Sequence, residues 1–162
     1  MFILPSLDYH DMIRSSLLAA NVALEMAWRH SDGDQYILFI EDDVVFSSKF
    51  AHMVTNTYLG PETGFLTLYL PGHGYQSHII DPTHFYGTQS ILFTRKAVGE
   101  IVAGRDEMMT TFLPGYDIRW SRFLAHKGYV LYCRDRSYVQ HLAANSRLHD
   151  HGRSHASALF EP

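Results

Sequence analysis

Apolar residues recur along this chain in two kinds of block. From about Asp11 to His30, the positions Ile13, Leu17, Ala20, Leu24 and Trp28 return every three or four residues, in a segment rich in Ala, Leu, Met and Glu; this spacing predicts a helix. Ser31-Asp-Gly-Asp34 ends it as a loop. Tyr36-Ile-Leu-Phe-Ile40 is a continuous apolar run of strand length, the kind buried on both faces of a mostly parallel sheet. A short helix is expected after Ser47, and Phe65-Leu-Thr-Leu-Tyr-Leu70 reads as the next strand. Residues 71–85, rich in Pro, Gly and His, predict a long loop, and such a loop in a small domain is usually functional. Thr88 to Phe93 reads as a strand and Arg95 to Ala103 as a helix. Tyr116 to Lys127 reads as another helix, with Pro114-Gly115 before it and Gly128 after it. Tyr129 to Cys133 and Ser137 to His141 are two short final strands, and Phe2-Ile3-Leu4 is a further apolar run closed by Pro5. Helices alternating with apolar strands predict an α/β fold, a three-layer sandwich with a mixed, mostly parallel sheet between helical layers.

Composition narrows the class. The 162 residues suit one domain, with no repeat or linker to divide it, and residues 148–162 read as a flexible tail. Hydrophobic residues make up 46% and charged residues 19%, which excludes intrinsic disorder and coiled coils. A net charge of −4 with no basic block argues against a nucleic-acid partner. No apolar run reaches membrane-spanning length, and Met1-Phe-Ile-Leu-Pro5 lacks the basic flank and apolar core of a signal peptide. The single Cys133 can form neither an internal disulfide nor a cysteine-based metal site. Together these features fit a soluble protein of a reducing compartment, the cytoplasm. The 11 histidines are many, and histidine is the commonest metal ligand, although most histidines in any chain are ordinary polar residues.

Candidate chemistry concentrates at Glu41-Asp42-Asp43, three adjacent carboxylates at the carboxyl end of a predicted buried strand. Ligands of open α/β sheets bind at that edge. Adjacent negative charges repel unless a cation or donor groups offset them, and oxygen ligands suit Mg²⁺ or Mn²⁺. An acidic surface turn is the plainer explanation, but apolar Val44-Val45-Phe46 follows at once, where a merely solvated turn would more often stay polar. Asp117 falls in the first turn of a predicted helix, where the macrodipole alone accounts for an acid. His141 ends a predicted strand, and a lone histidine there is ordinarily structural.

Taken in order, these segments resemble a glycosyltransferase of the GT-A fold, the class that moves a sugar from a nucleotide-sugar donor. Ile40-Glu41-Asp42-Asp43-Val44 looks like the Glu-Asp-Asp form of that class's DXD motif. Asp117 through Tyr132 is similar to the acid–aromatic–Gly-Tyr pattern that carries the catalytic acid in many inverting members, and Val139-Gln140-His141 to a late histidine that reaches back to the metal. Gly87-Thr-Gln-Ser-Ile-Leu-Phe-Thr-Arg-Lys96 resembles an acceptor-side strand leading into a helix. The likeness runs from about residue 11 to 147. It implies a divalent ion, Mn²⁺ or Mg²⁺, held by Asp43 and His141. Asp42 would bind a metal-bound water or the donor's sugar or ribose, Glu41 would shape the turn, and Arg147 or the late histidines His149, His151 and His155 could touch phosphate oxygens. Asp117 would be the base that takes the proton from an acceptor hydroxyl, with inversion. The sequence departs from the class in one respect: only a short apolar run and one helix precede Glu41, so the nucleotide-binding half reads as shortened. A shortened sheet would leave an unpaired strand near Phe2-Leu4 or Phe39, implying a homo-oligomer or a partner chain. A non-catalytic binding or assembly module of the same fold, its acids kept only as a cation site, remains the alternative.

Overall fold

The computed structural model describes residues 9–72, 74–112, 116–142 and 156–162. In chain order the elements are α1 (Tyr9–His30), β1 (Tyr36–Ile40), β2 (Val44–Phe46), α2 (Phe50–Thr55), β3 (Thr63–Thr67) and β4 (Ser90–Thr94). There follow α3 (Arg95–Ala103), α4 (Arg105–Thr111), α5 (Tyr116–His126), β5 (Val130–Cys133) and β6 (Val139–His141). The fold is α/β, as the sequence predicts. Both β1 and α3 occupy the predicted residues, whereas β2 and α4 are additional to the prediction.

Helix boundaries follow local chemistry. Leu17, Ala20, Asn21 and Leu24 are buried along one stripe of α1, the spacing of an amphipathic helix. The Thr94 hydroxyl accepts the Ala97 N–H (3.3 Å) and caps α3, whose Ala97, Val98 and Ile101 are buried. In α5, Trp120, Phe123 and Leu124 are buried at intervals of three and four residues, and Gly128, at φ +88°, takes the left-handed turn just beyond its end.

Four strands form the main sheet in the order β1-β4-β3-β5, and β2 pairs with β6 in a separate two-stranded ribbon. The main sheet is mixed, but it is not mostly parallel: β4 is antiparallel to both β1 and β3, and only β3 and β5 pair in parallel. The reason lies between β3 and β4. That connection contains no helix, so the chain returns antiparallel rather than crossing over. Every residue of β3 and β4 is buried, which mimics parallel-sheet strands, because both faces of the sheet are covered.

The two covers differ, and among the described residues helices pack on one face of the sheet only. Strand alternation sends Phe39, Phe65, Ile91 and Phe93 to the face where α1, α3 and α5 pack. There the ring of Trp120 meets Phe39 and Phe93 edge-on at 5.3 and 5.7 Å, and its Nε1–H donates to Asn21 Oδ1 (2.9 Å), tying α5 to α1. On the opposite face the segment after α2 crosses the sheet, the Tyr36 hydroxyl accepting the Leu59 N–H at 3.0 Å. Helix α2 itself buries no residue.

Residues 156–162 do not behave as the expected tail. Ser157 and Phe160 form parallel bridges to Gly72 and Ser137, and Glu161 pairs with Arg136 (2.6 Å). Residues 148–155 of that expected tail lie outside the described residues, as do Phe2-Leu4. Among the described residues, the outer edge of β1 pairs with no strand, and no helix is long and apolar enough to cross a membrane.

Candidate metal centre

The carboxyl end of β1 is where the main sheet and the small ribbon meet. Glu41 N–H donates to the Gln89 carbonyl (3.1 Å), carrying the β1/β4 ladder one residue past the strand. Two residues later the chain joins the ribbon: Leu142 N–H donates to the Asp43 carbonyl (2.7 Å), and Val44 stands opposite His141. Backbone pairing therefore fixes Asp43 beside a residue from the end of the described core. Asp43 Oδ2 lies 3.1 Å from His141 Nε2.

Glu41 completes the group. One ligand atom from each of Glu41, Asp43 and His141 lies within 4.8 Å of the others. The chain bends at Asp42 and Asp43, and Asp42, between the two clustered acids, is exposed and outside the cluster. The structure brings Asp43 and His141, both expected as metal ligands, to within 3.1 Å of each other. Glu41, expected to shape the turn, lies in the same cluster.

Several contacts hold the cluster in place. Thr88, buried just before β4, donates its hydroxyl to Glu41 Oε1 and fixes that carboxylate from across the sheet. The sequence reading missed Thr88: it stands 47 residues from Glu41, and no local pattern marks a pairing over that span. Tyr69 is buried nearby, and burial, with the Glu41 charge adding, pushes its phenol up to about 12. The His141 side chain is only 10% exposed, whereas that of Asp43 is 44% exposed. Yet Asp43 Oδ1 is enclosed and has no hydrogen-bond partner among the described residues. A buried acceptor without a partner costs free energy unless a donor or a cation meets it. Two carboxylates and an imidazole supply oxygen and nitrogen donors that suit a divalent ion, and that orphaned oxygen is the position such an ion would satisfy.

Asp117 sits in the first turn of α5 as expected, half-buried, with Oδ1 accepting the Ile118 N–H (2.8 Å). It is not part of the three-residue cluster. Electrostatics link the two places through a pair of tyrosines. Burial raises the Tyr75 phenol well above its ordinary value; its hydrogen bond to the Tyr86 carbonyl opposes this, and the charges of Cys133, Asp117 and Tyr69 reinforce it. Tyr69 in turn feels Glu41. The Tyr75 hydroxyl donates to the Tyr86 carbonyl (2.7 Å) and accepts the Tyr86 N–H (3.2 Å), clamping the two ends of the loop between β3 and β4. Arg147 lies outside the described residues, together with His149, His151 and His155.

Compared with models of known protein families and with curated proteins, the chain gives no match.

Proposed function

We propose that this protein is a metal-dependent glycosyltransferase that moves a sugar from a nucleoside-diphosphate sugar to an acceptor hydroxyl with inversion. The observation that carries the reading is the cluster of Glu41, Asp43 and His141 at the carboxyl end of a buried strand, with one enclosed Asp43 oxygen lacking a partner. The order of the Glu-Asp-Asp segment, Asp117 and His141 along the chain supports the GT-A likeness.

In this reading the three side chains hold a divalent ion, and the imidazole favours Mn²⁺ over Mg²⁺. When bound, the ion supplies positive charge to the diphosphate leaving group. Asp42, exposed at the tip of the turn, accepts hydrogen bonds from hydroxyls of the donor. Thr88 keeps the Glu41 carboxylate oriented. Asp117, at a helix N-terminus that favours its ionised form, takes the proton from the acceptor oxygen as that oxygen attacks the anomeric carbon. The open edge of β1 remains a place for a second copy or a partner chain.

The position of Asp117 outside the cluster favours one competing reading, a cation-binding module without transfer. The two separate by assay. The chain is incubated with Mn²⁺, a panel of UDP- and GDP-sugars and hydroxyl acceptors, and release of nucleoside diphosphate and formation of glycoside are followed. The expected result is Mn²⁺-dependent transfer that Asp117→Asn lowers by about 10²–10⁴-fold without loss of metal binding. Metal binding with no turnover across the panel would overturn the transferase and leave the module.

A further inference from the structure

On the face of the sheet opposite the helices, near β5, lies a cavity of about 510 Å³, a volume suited to a small ligand. It is distant from the metal centre: β1 and β5 are the two edges of the sheet, three strand spacings or about 14 Å apart. Its polar lining is Tyr58, Glu62, His78, Tyr132, Arg134 and Asp135, with Leu66 of β3 contributing apolar surface.

These side chains are largely unengaged. Tyr58 is 80% exposed, the most exposed large apolar or aromatic residue among the described residues. Arg134 makes a single side-chain hydrogen bond among the described residues, from one amino group to Thr57 Oγ1 (3.2 Å), and its enclosed Nε–H has no partner. Asp135 has only a loose contact with Arg136 at 3.8 Å, and Glu62 carries no ion pair among the described residues. The lining thus offers donors from Arg134 and acceptors from Glu62 and Asp135 around one cavity.

That mixture selects a ligand chemistry. An anion would satisfy Arg134 but face two carboxylates. A cation would satisfy the carboxylates but be repelled by the guanidinium. A hydroxyl donates one hydrogen bond and accepts others, so it meets both sets without a charge conflict. Exposed Tyr58 and half-buried Tyr132 add flat apolar faces of the kind on which the C–H side of a sugar ring can rest, with a polar tip at the edge.

We propose that this cavity binds a neutral saccharide, independently of the metal centre and of any transfer reaction there. The test uses the full chain without added metal, titrated with methyl glycosides of glucose, galactose and N-acetylglucosamine and with lactose, while backbone amide resonances are followed by NMR. At least one saccharide should shift the signals of Tyr58, Arg134 and Asp135. Tyr58→Ala, at an exposed position that the fold does not need, should weaken that saccharide by about tenfold. Glu62→Gln should weaken it less, and Asp43→Ala should leave it unchanged. The proposal is overturned if no saccharide shifts these residues, or if Tyr58→Ala binds as well as the parent. It is also overturned if inorganic phosphate or spermidine shifts the same residues as strongly as the saccharides. None of these failures bears on Mn²⁺ binding at Glu41, Asp43 and His141, which is measured separately.

Discussion

Asp43→Asn should change the protein in opposite ways with and without metal. The carboxylate oxygens of Glu41 and Asp43 approach within 4.8 Å. At that distance two unit charges repel by about 3.5 kcal/mol at an effective dielectric of about 20. Because Asp43 is 44% exposed, solvent screening reduces this to about 1 kcal/mol. Asparagine removes the repulsion and keeps the size of the side chain, while weakening the contact with His141 by a similar amount. The metal-free variant should therefore lie within about 1 kcal/mol of the parent. Metal reverses the comparison. At 100 times its dissociation constant, Mn²⁺ adds about 2.7 kcal/mol to the parent, or roughly 5–10 °C in Tm for a domain of this size. Losing a ligand should cost at least the ~100-fold in affinity that lost supporting contacts can cause, so the same Mn²⁺ concentration adds only about 0.4 kcal/mol to the variant. Calorimetric unfolding with EDTA and with Mn²⁺ measures both arms. An equal Mn²⁺-induced shift in parent and variant, or no shift in the parent, would refute the metal assignment at Asp43.

Three further outcomes follow from the packing. Trp120→Phe keeps a ring in the core but leaves Asn21 Oδ1 without its 2.9 Å donor, and should cost about 2–4 kcal/mol by urea unfolding; the double variant with Asn21→Leu should recover part of that loss. Gly87→Ala should cost about 2–5 kcal/mol, because φ there is +123° and a Cβ would lie 2.6 Å from the buried Tyr69 ring. Gly128→Ala, at φ +88° with open space around it, should cost clearly less in the same assay. Burial pushes the Cys133 thiol up to about 11 from an ordinary value near 9.0, so the unfolded chain releases this proton first. The stability it contributes is complete below about pH 9 and is lost as pH rises through about 11, and Cys133→Ala should flatten the fall in that window when unfolding is followed against pH.

The parts legible in the sequence were those whose cause is local. Five apolar residues in a row gave β1 its bounds, and α3 likewise occupies the residues expected for it. Strand β2 escaped because it has three residues, two of them exposed, and its reason to be extended is β6, far along the chain. Helix α4 escaped because only Met108 of its seven residues is buried, so it shows no apolar period. The direction of β4 depended on its connection from β3, which contains no crossover helix, and burial does not reveal it: Ser90–Thr94 would read the same in either orientation. At the site, the acids announced themselves by adjacency, and His141 by its order after them. Their division of labour did not. Glu41 and Asp43 come together where the chain bends at residues 42–43, and Thr88 joins them only through the β1/β4 pairing.

The pairing of Val44 with His141 also has a consequence in time. Synthesis on the ribosome runs from the amino end, and Glu41 and Asp43 are made about one hundred residues before the imidazole that faces them. At about 5–20 residues per second, the two carboxylates exist for roughly 5–20 s before His141 is added to the chain, and longer before it clears the exit tunnel. A nascent chain can form α1 and β1 during that interval, but neither the ribbon nor the three-sided cluster. Assembly of the three-residue cluster is therefore a late event in the life of each molecule, coupled to completion of β6, and a ribosome stalled before residue 139 would display the acids without His141.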